Sequence, residues 1–467
     1  MQYIVIILFL AVSNSAFSAS PDIDKIDSST LLSIDKKHHV FSTHFYKKFL
    51  SLPKWSGSNF STIKSLDVAV TEHYNNKRGI IAAALIVKYK DLVTDNYDNI
   101  SIFNFIRVLL DQNEWDTAKY LFDLIKREGD STLISYTSYL FSIFTFKRNQ
   151  WDLTLKYLEG GINDLPDEDH HYALLMKGIS LQKLTRHRES IQFYKKILPS
   201  SKYYISSRLN MAIAYIRQGW WTDAYIILEN ILKDPKTLKQ EESVNRLYLT
   251  LGYSFLNQEY YRNSRDAFRN VGISSIYTNR ALLGISLSAS SQEDYIGALK
   301  SISILKKKNT FDLPVDESYL LMPYYYEKLQ QPSTASAGYS EAINYYKRRI
   351  SGIQSILKSD IDLSSHSFDT SFNTTIRIGK NTVNFSSNYP DYFIDNYLTL
   401  IKYKPYVDSI NDKKLTTQFF ALKSEYETVI KNMIRSMLNQ RVTYLKSYID
   451  QSRFGLARLY DNNLVTN

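Results

Sequence analysis

The densest grouping of side chains able to bind a metal or move a proton is His170-His171, directly after Asp167-Glu168-Asp169. Imidazole and carboxylate are ligands for zinc and related cations. The run follows Pro166 and opens a segment of helical periodicity, where acidic residues oppose the positive end of a helix. It therefore reads as a helix start rather than a metal centre. His38, His39 and His44 share another predicted helix. His44 does not stand one turn from either, so the imidazoles do not converge. Trp220-Trp221 offers an aromatic platform for a sugar or peptide; Trp221 recurs in a wider pattern, and Trp220 is the additional ring. There is no Gly-rich phosphate loop, no Gly-x-Ser-x-Gly and no His-Glu-x-x-His. The chain has no cysteine, which removes thiol nucleophiles and Cys-ligated zinc. Neither a cofactor nor an enzymatic activity is expected.

The formal net charge is +10 over 467 residues, with both signs interspersed. That bias suits anionic envelope polymers or acidic partners. The one dense cationic run is Lys306-Lys307-Lys308, so nucleic acid is not an expected partner. Residues 1–20 read as an export signal. Residues 3–12 are apolar but too few to span a bilayer, and Ala16-Phe17-Ser18 fits a small-x-small cleavage site. No Lys or Arg precedes the apolar run, which leaves an uncleaved anchor as the competing reading. Lacking thiols avoids mispairing in an oxidising space. A periplasmic location in a Gram-negative bacterium is the expectation.

The elements that must position any site follow from a repeat. Trp115, Trp151, His187, Trp221, Tyr261 and Tyr295 recur 34 to 40 residues apart. Three residues after each comes a short side chain: Ala118, Thr154, Ser190, Ala224, Ser264 and Ala298. Twelve residues before these stand Ile106, Ser142, Gly178, Ala212 and Gly252, with Pro323 ahead of Ala335 one helix pair later. Apolar residues follow at helical spacing, such as Tyr194 and Ile197, Leu228 and Ile231, or Phe268 and Val271. Each unit reads as helix A, a short turn and helix B. Asn113, Asn149 and Gly219 sit in the turn, where a left-handed backbone is tolerated. One such pair cannot bury its apolar face alone, so copies must stack.

The pattern resembles the tetratricopeptide repeat, a helix-turn-helix unit of 34 residues. The match is best over residues 169–234 and 240–272 and extends over about 97–350, some seven helix pairs. Extra residues at 234–240 and 291–293, and Pro323 and Pro332 in the last unit, depart from it. The resemblance implies an all-α superhelix, an α-solenoid, whose concave wall is lined by helices A. Carried onto this chain, that wall selects Tyr172, Lys183, Asn210, Arg217, Arg246, Tyr253, Asn257, Tyr324 and Lys328. Together these types can grip an extended peptide through its backbone and carboxylates. The family's Lys/Asn/Arg clamp for a terminal carboxylate is not intact here.

Residues 21–96 read as capping helices over 30–50 and 61–93. Residues 351–467 read as a helical region with an insertion at 364–388. Within that insertion, alternation over 374–385 about Gly379-Lys380-Asn381 predicts a β-hairpin or a loop. Residues 413–460 predict one long amphipathic helix. Its apolar stripe runs through Phe420, Tyr426, Ile430, Ile434, Leu438, Val442, Leu445, Ile449 and Leu456. Its other face carries Lys431, Arg435, Arg441, Lys446, Arg453 and Arg458, read as solvated or, alternatively, as resting on a membrane surface. The expected function is a scaffold that docks a protein partner of a cell-envelope, secretion or cell-wall system, with a membrane-attached adaptor as the alternative. Neither the partner nor the oligomeric state is legible.

Overall fold

The computed structural model describes residues 28–52, 59–159, 161–233, 241–308, 312–359, 361, 363, 374–378, 381–385 and 391–465. The expected export signal, the turn at Gly379-Lys380 and the extra residues at 234–240 lie outside them. In chain order, α1 (Ser28–Leu50) precedes α2 (Ile63–Asn75), α3 (Gly79–Lys88) and the short α4 (Lys90–Asp95). Then come α5 (Ser101–Asp111) with α6 (Trp115–Glu128), α7 (Ser131–Lys147) with α8 (Trp151–Leu158), and α9 (Asp167–Lys183) with α10 (His187–Lys195). Further pairs are α11 (Tyr204–Arg217) with α12 (Trp221–Lys233), α13 (Glu241–Asn257) with α14 (Tyr261–Arg269), and α15 (Thr278–Ser291) with α16 (Tyr295–Lys306). The last pair is α17 (Leu313–Lys328) and α18 (Pro332–Lys358). Strands β1 (Thr374–Ile378) and β2 (Asn381–Phe385) follow, then α19 (Asp391–Lys402), α20 (Lys404–Ile410) and α21 (Lys413–Val465).

Every aromatic landmark from Trp115 to Tyr295 is the first residue of a helix B. The turn before each is built one way. Asn113, Asn149, Thr185, Glu259, Glu293 and Gln330 have φ between 55° and 63°, and Gly219 has φ 75°. The next residue's N–H reaches back to the carbonyl five positions earlier, as in Arg186 to Leu181, Tyr260 to Phe255 and Asp294 to Ala289. This is the Schellman closure of a helix end. The same turn recurs at Lys77 (φ 59°), with Arg78 bonded to His73. Ile63–Lys88 is thus a further pair of the same build, within the stretch read from sequence as a cap. Lysine there hides a turn that Asn or Gly advertises. Glu114 and Asp294 cap their helices B by accepting from the Thr117 and Gly297 amides at 2.9 and 2.8 Å. Such caps satisfy donors that have no partner within the helix.

The described residues form two compact units, 28–220 with 391–430 and 221–385 with 431–465. The division falls between Trp220 and Trp221.

In the first unit each helix from α5 to α11 packs on the next, and α5 packs on α7 as α9 does on α11. A Cβ on Gly178 would lie 2.4 Å from the Tyr194 ring, so the small residue of helix A is a socket for the aromatic of helix B. Helix α1 is covered by C-terminal segments. Phe45 meets Tyr403 edge-on at 4.6 Å, and the Tyr46 and Tyr403 hydroxyls share a hydrogen bond of 2.9 Å. The Tyr403 hydroxyl also donates to the Gln112 carbonyl at 3.0 Å, at the turn between α5 and α6.

The second unit repeats the socket. Phe268 is clamped between Gly252 of its own pair and Gly284 of the next, where added Cβ atoms would lie 2.5 and 2.4 Å from its ring. Ser264 Oγ donates to the Gly252 carbonyl at 2.8 Å and bonds Ser288 Oγ at the same distance. The consecutive, hand-to-hand packing of helix pairs is the build of the tetratricopeptide repeat. Strands β1 and β2 pair antiparallel with Ile376 opposite Val383, so the alternating stretch forms the hairpin.

Two readings of the long helix are corrected. Phe420 is 47% exposed, and Phe419 takes the core position instead, because Leu415, Phe419, Leu422 and Tyr426 continue one stripe. Arg441 and Arg458 are held in ion pairs rather than left free in solvent. Arg441 forms an ion pair with Asp316 of α17, and Arg458 donates to both Glu327 oxygens at 2.6 and 2.7 Å. In the same unit Tyr448 donates to Glu317 at 3.0 Å. Their cationic heads answer carboxylates that α17 buries, which a face diagram of one helix cannot reveal.

Candidate binding faces

In the first unit, Lys183 and Arg217 are exposed at the ends of α9 and α11. Asn210 is half-buried and donates to the Ser206 carbonyl at 2.9 Å. Tyr172 is half-buried and stacks on Tyr203 at 4.9 Å. Burial, then Tyr203, raises its phenol above the ordinary value, so it stays neutral and able to donate. Burial, then Arg217, lowers the His187 imidazole. Arg217 therefore faces a neutral ring and remains available to a carboxylate.

In the second unit, Arg246, Asn257 and Lys328 are exposed on α13 and α17. Lys328 Nζ lies 5.5 Å from the centre of the Tyr324 ring, the one pair of selected residues seen in contact among the described residues. Burial pushes the Tyr324 hydroxyl up to about 12. Tyr253 does not line a face. It is 5% exposed, packs edge-on against Phe268 at 4.8 Å and donates to the Arg280 carbonyl at 3.0 Å. The neighbouring pair covers this position, so its ring serves the core. The remaining members are a polar, mainly cationic set: Lys183 and Arg217 in one unit, Arg246 and Lys328 in the other.

The histidines are dispersed. His38 Nδ1 bonds the Tyr426 hydroxyl at 2.9 Å, His39 Nε2 meets Asp116 at 2.9 Å, and His44 Nδ1 bonds Gln418 at 2.6 Å. Burial, then Arg148 and His39, lowers His38 to about 3, which keeps it neutral. His170 Nδ1 bonds the Ile162 carbonyl at 2.7 Å, and Asp169 accepts from Tyr139 at 2.9 Å. Asp167, Glu168 and Asp169 occupy the first turn of α9, behind Pro166, without a side-chain capping bond. Their contribution to that helix end is the field of the charges. Among the described residues no group of three or more such side chains could hold a metal.

Trp220 is 39% exposed. The Arg188 guanidinium lies 5.2 Å from its ring, and Tyr215 is tilted against it at 5.7 Å. Arg188 carries no local sequence signal, because the contact joins turns of successive pairs.

No family model matches the chain, and no curated protein matches it. Among solved structures it is similar to the APC/C hetero-tetramer Cut9-Hcn1, with 14% identity, 60% of this chain and 52% of that chain covered, and a TM-score of 0.31. The chain thus spans about half the length of that relative. It is similar to the apo form of RapI at 10% identity, covering 79% of this chain and 98% of that one, TM-score 0.43. For Naa15/Naa10 bound to HypK-THB the values are 12%, 86%, 61% and 0.37. These scores lie below a shared overall arrangement, so the class rests on the chain's own helix packing. That class is a helical-repeat protein of tetratricopeptide build.

Proposed function

We propose that the chain is a non-catalytic scaffold that docks a protein partner of the cell envelope along the uncovered faces of its helices A. The observation that supports this most is the exposure of cationic and amide side chains on helices A within each unit: Lys183 and Arg217 in one, and Arg246, Asn257 and Lys328 in the other. Polar side chains left unburied on a stacked array suit recognition of an extended segment through its backbone and carboxylates. The apolar amino-terminal stretch and the absence of cysteine favour export to a periplasm. No described helix is long and apolar enough to cross a membrane. Arg441 and Arg458, part of the basic face that would meet a membrane, are engaged within the chain.

The test is photo-crosslinking in cells from positions beside Arg217 and Arg246, with the captured protein identified by mass spectrometry. Replacing both arginines by alanine is expected to lower capture about tenfold, each charged contact contributing on the order of 0.5–1 kcal/mol. Unchanged capture would remove the helix-A faces from the interface. Release by osmotic shock is the expected fractionation; extraction by detergent alone would put the chain on a membrane instead.

A further inference from the structure

The second unit holds a pocket of about 450 Å³ between the ends of α16 and α18, two helices B. Five cations line it: Lys306, Lys307, Lys308, Arg348 and Arg349. No carboxylate does. Two of the five are held within the chain. Lys306 pairs with Glu341 at 2.7 Å and lies 4.7 Å from the centre of the Tyr319 ring. Arg349 donates to the Tyr345 hydroxyl at 3.1 Å and stands 3.6 Å from Asp316. Lys307, Lys308 and Arg348 are exposed and have no counter-charge among the described residues. A cleft lined by one sign of charge concentrates the field and draws in anions.

The walls are not merely charged. Tyr319 and Tyr345 stack face to face, with centroids 3.7 Å apart and planes within 7°. Buried Asp316 fixes this wall by accepting from the Tyr345 hydroxyl at 2.8 Å. Ile353 and Ile356, 1% and 8% exposed, form its packed floor. A Cβ on Gly352 would meet nothing within 4 Å, so the backbone there is open to an occupant.

We propose that this pocket receives an acidic peptide segment in which carboxylates alternate with apolar side chains. Three unneutralised cations call for more than one negative charge, which a single carboxylate does not supply. The open edges of the half-buried tyrosines and the aliphatic stems of the lysines offer contact to apolar groups, which a bare polyanion lacks. The inference rests on the reading that the chain docks a protein, and it places a second contact on helices B, apart from the proposed helix-A faces.

The test is fluorescence anisotropy with the full chain and a labelled synthetic peptide alternating glutamate with leucine and phenylalanine. Competitors are an all-glutamate peptide of equal net charge and inorganic tripolyphosphate. Lys307→Glu with Arg348→Glu is expected to weaken peptide binding about tenfold. Gly352→Glu, which adds a carboxylate at the open backbone and improves helix propensity, should do the same with an undiminished unfolding midpoint. Arg217→Ala with Arg246→Ala should leave it unchanged. Loss of partner capture in that last pair, without loss of the peptide, separates failure of one surface from failure of the other. Binding unaffected by both pocket variants, or tripolyphosphate competing as well as the peptide, would overturn the proposal.

Discussion

At Thr185 a β-branched side chain is held at φ 63°, in the turn between α9 and α10. A left-handed backbone costs an L-residue about 1–2 kcal/mol, part of which glycine returns as unfolded-state entropy. Thr185→Gly is expected to raise stability by about 0.5–1 kcal/mol, read from urea unfolding. Among the described residues eight turns of this type recur along the array, yet only Asn113, Asn149 and Gly219 announce theirs by residue type. Glu317 shows the opposite limit of legibility. It is an unremarked glutamate in the sequence, but burial, partly offset by Tyr448 and Arg441, raises its carboxyl to about 7 from 4.5. Between those values the folded chain holds more protons than the unfolded one, so stability falls as pH rises through this window. From pH 5 to pH 8 the native protein should lose on the order of 3 kcal/mol relative to Glu317→Gln, whose curve lacks this contribution. Equal pH dependence of the two proteins, measured by urea titration, would exclude the buried carboxylate as the cause.

Helix α21 illustrates what an element's own periodicity can and cannot say. Its length and its stripe from Tyr426 to Ile449 are readable, since the spacing repeats over many turns. Which of two adjacent phenylalanines enters the core is not readable, because Phe419 and Phe420 differ by a single step around the helix. Nor is the fate of its arginines, which depends on the charges of α17. Asp316 is 1% exposed and faces Arg441 and Arg349. Arg441→Met would leave that carboxylate short of its main counter-charge and is expected to cost about 3–5 kcal/mol. Arg441→Met with Asp316→Asn should recover much of the loss, because the amide removes the buried charge that lacks compensation. A double-mutant cycle by urea denaturation measures the coupling, and a cost below about 1 kcal/mol for the single variant would mean that Arg349 alone suffices.

At the scale of the whole molecule, recognition by charge has a salt signature. Exposed cations such as Arg217, Arg246 and Lys307 act through solvent, so partner association should weaken and slow as ionic strength rises. Of the proposed surface, the exposure of Lys183, Arg217, Arg246, Asn257 and Lys328 was legible because repeat register assigns a face to each position. Tyr253 failed because register does not tell how far a neighbouring pair extends over it. The tyrosine-walled pocket was visible only as the Lys306-Lys307-Lys308 run, since Tyr319 comes from α17 and Tyr345, Arg348 and Arg349 from α18.

The sequence by itself determined the repeating helix pair from Trp115 to Tyr295, the place of the turns before those landmarks and the glycines opposite Tyr194 and Phe268. These follow from spacing within about forty residues, where a helix's own geometry governs. Only the tertiary structure decided that Phe45 meets Tyr403, that Arg458 grips Glu327, and that Glu317 lies in a site that opposes its ionisation. Those outcomes depend on which distant segments exclude water from a given side chain, and desolvation is a property of the assembled packing rather than of local order along the chain.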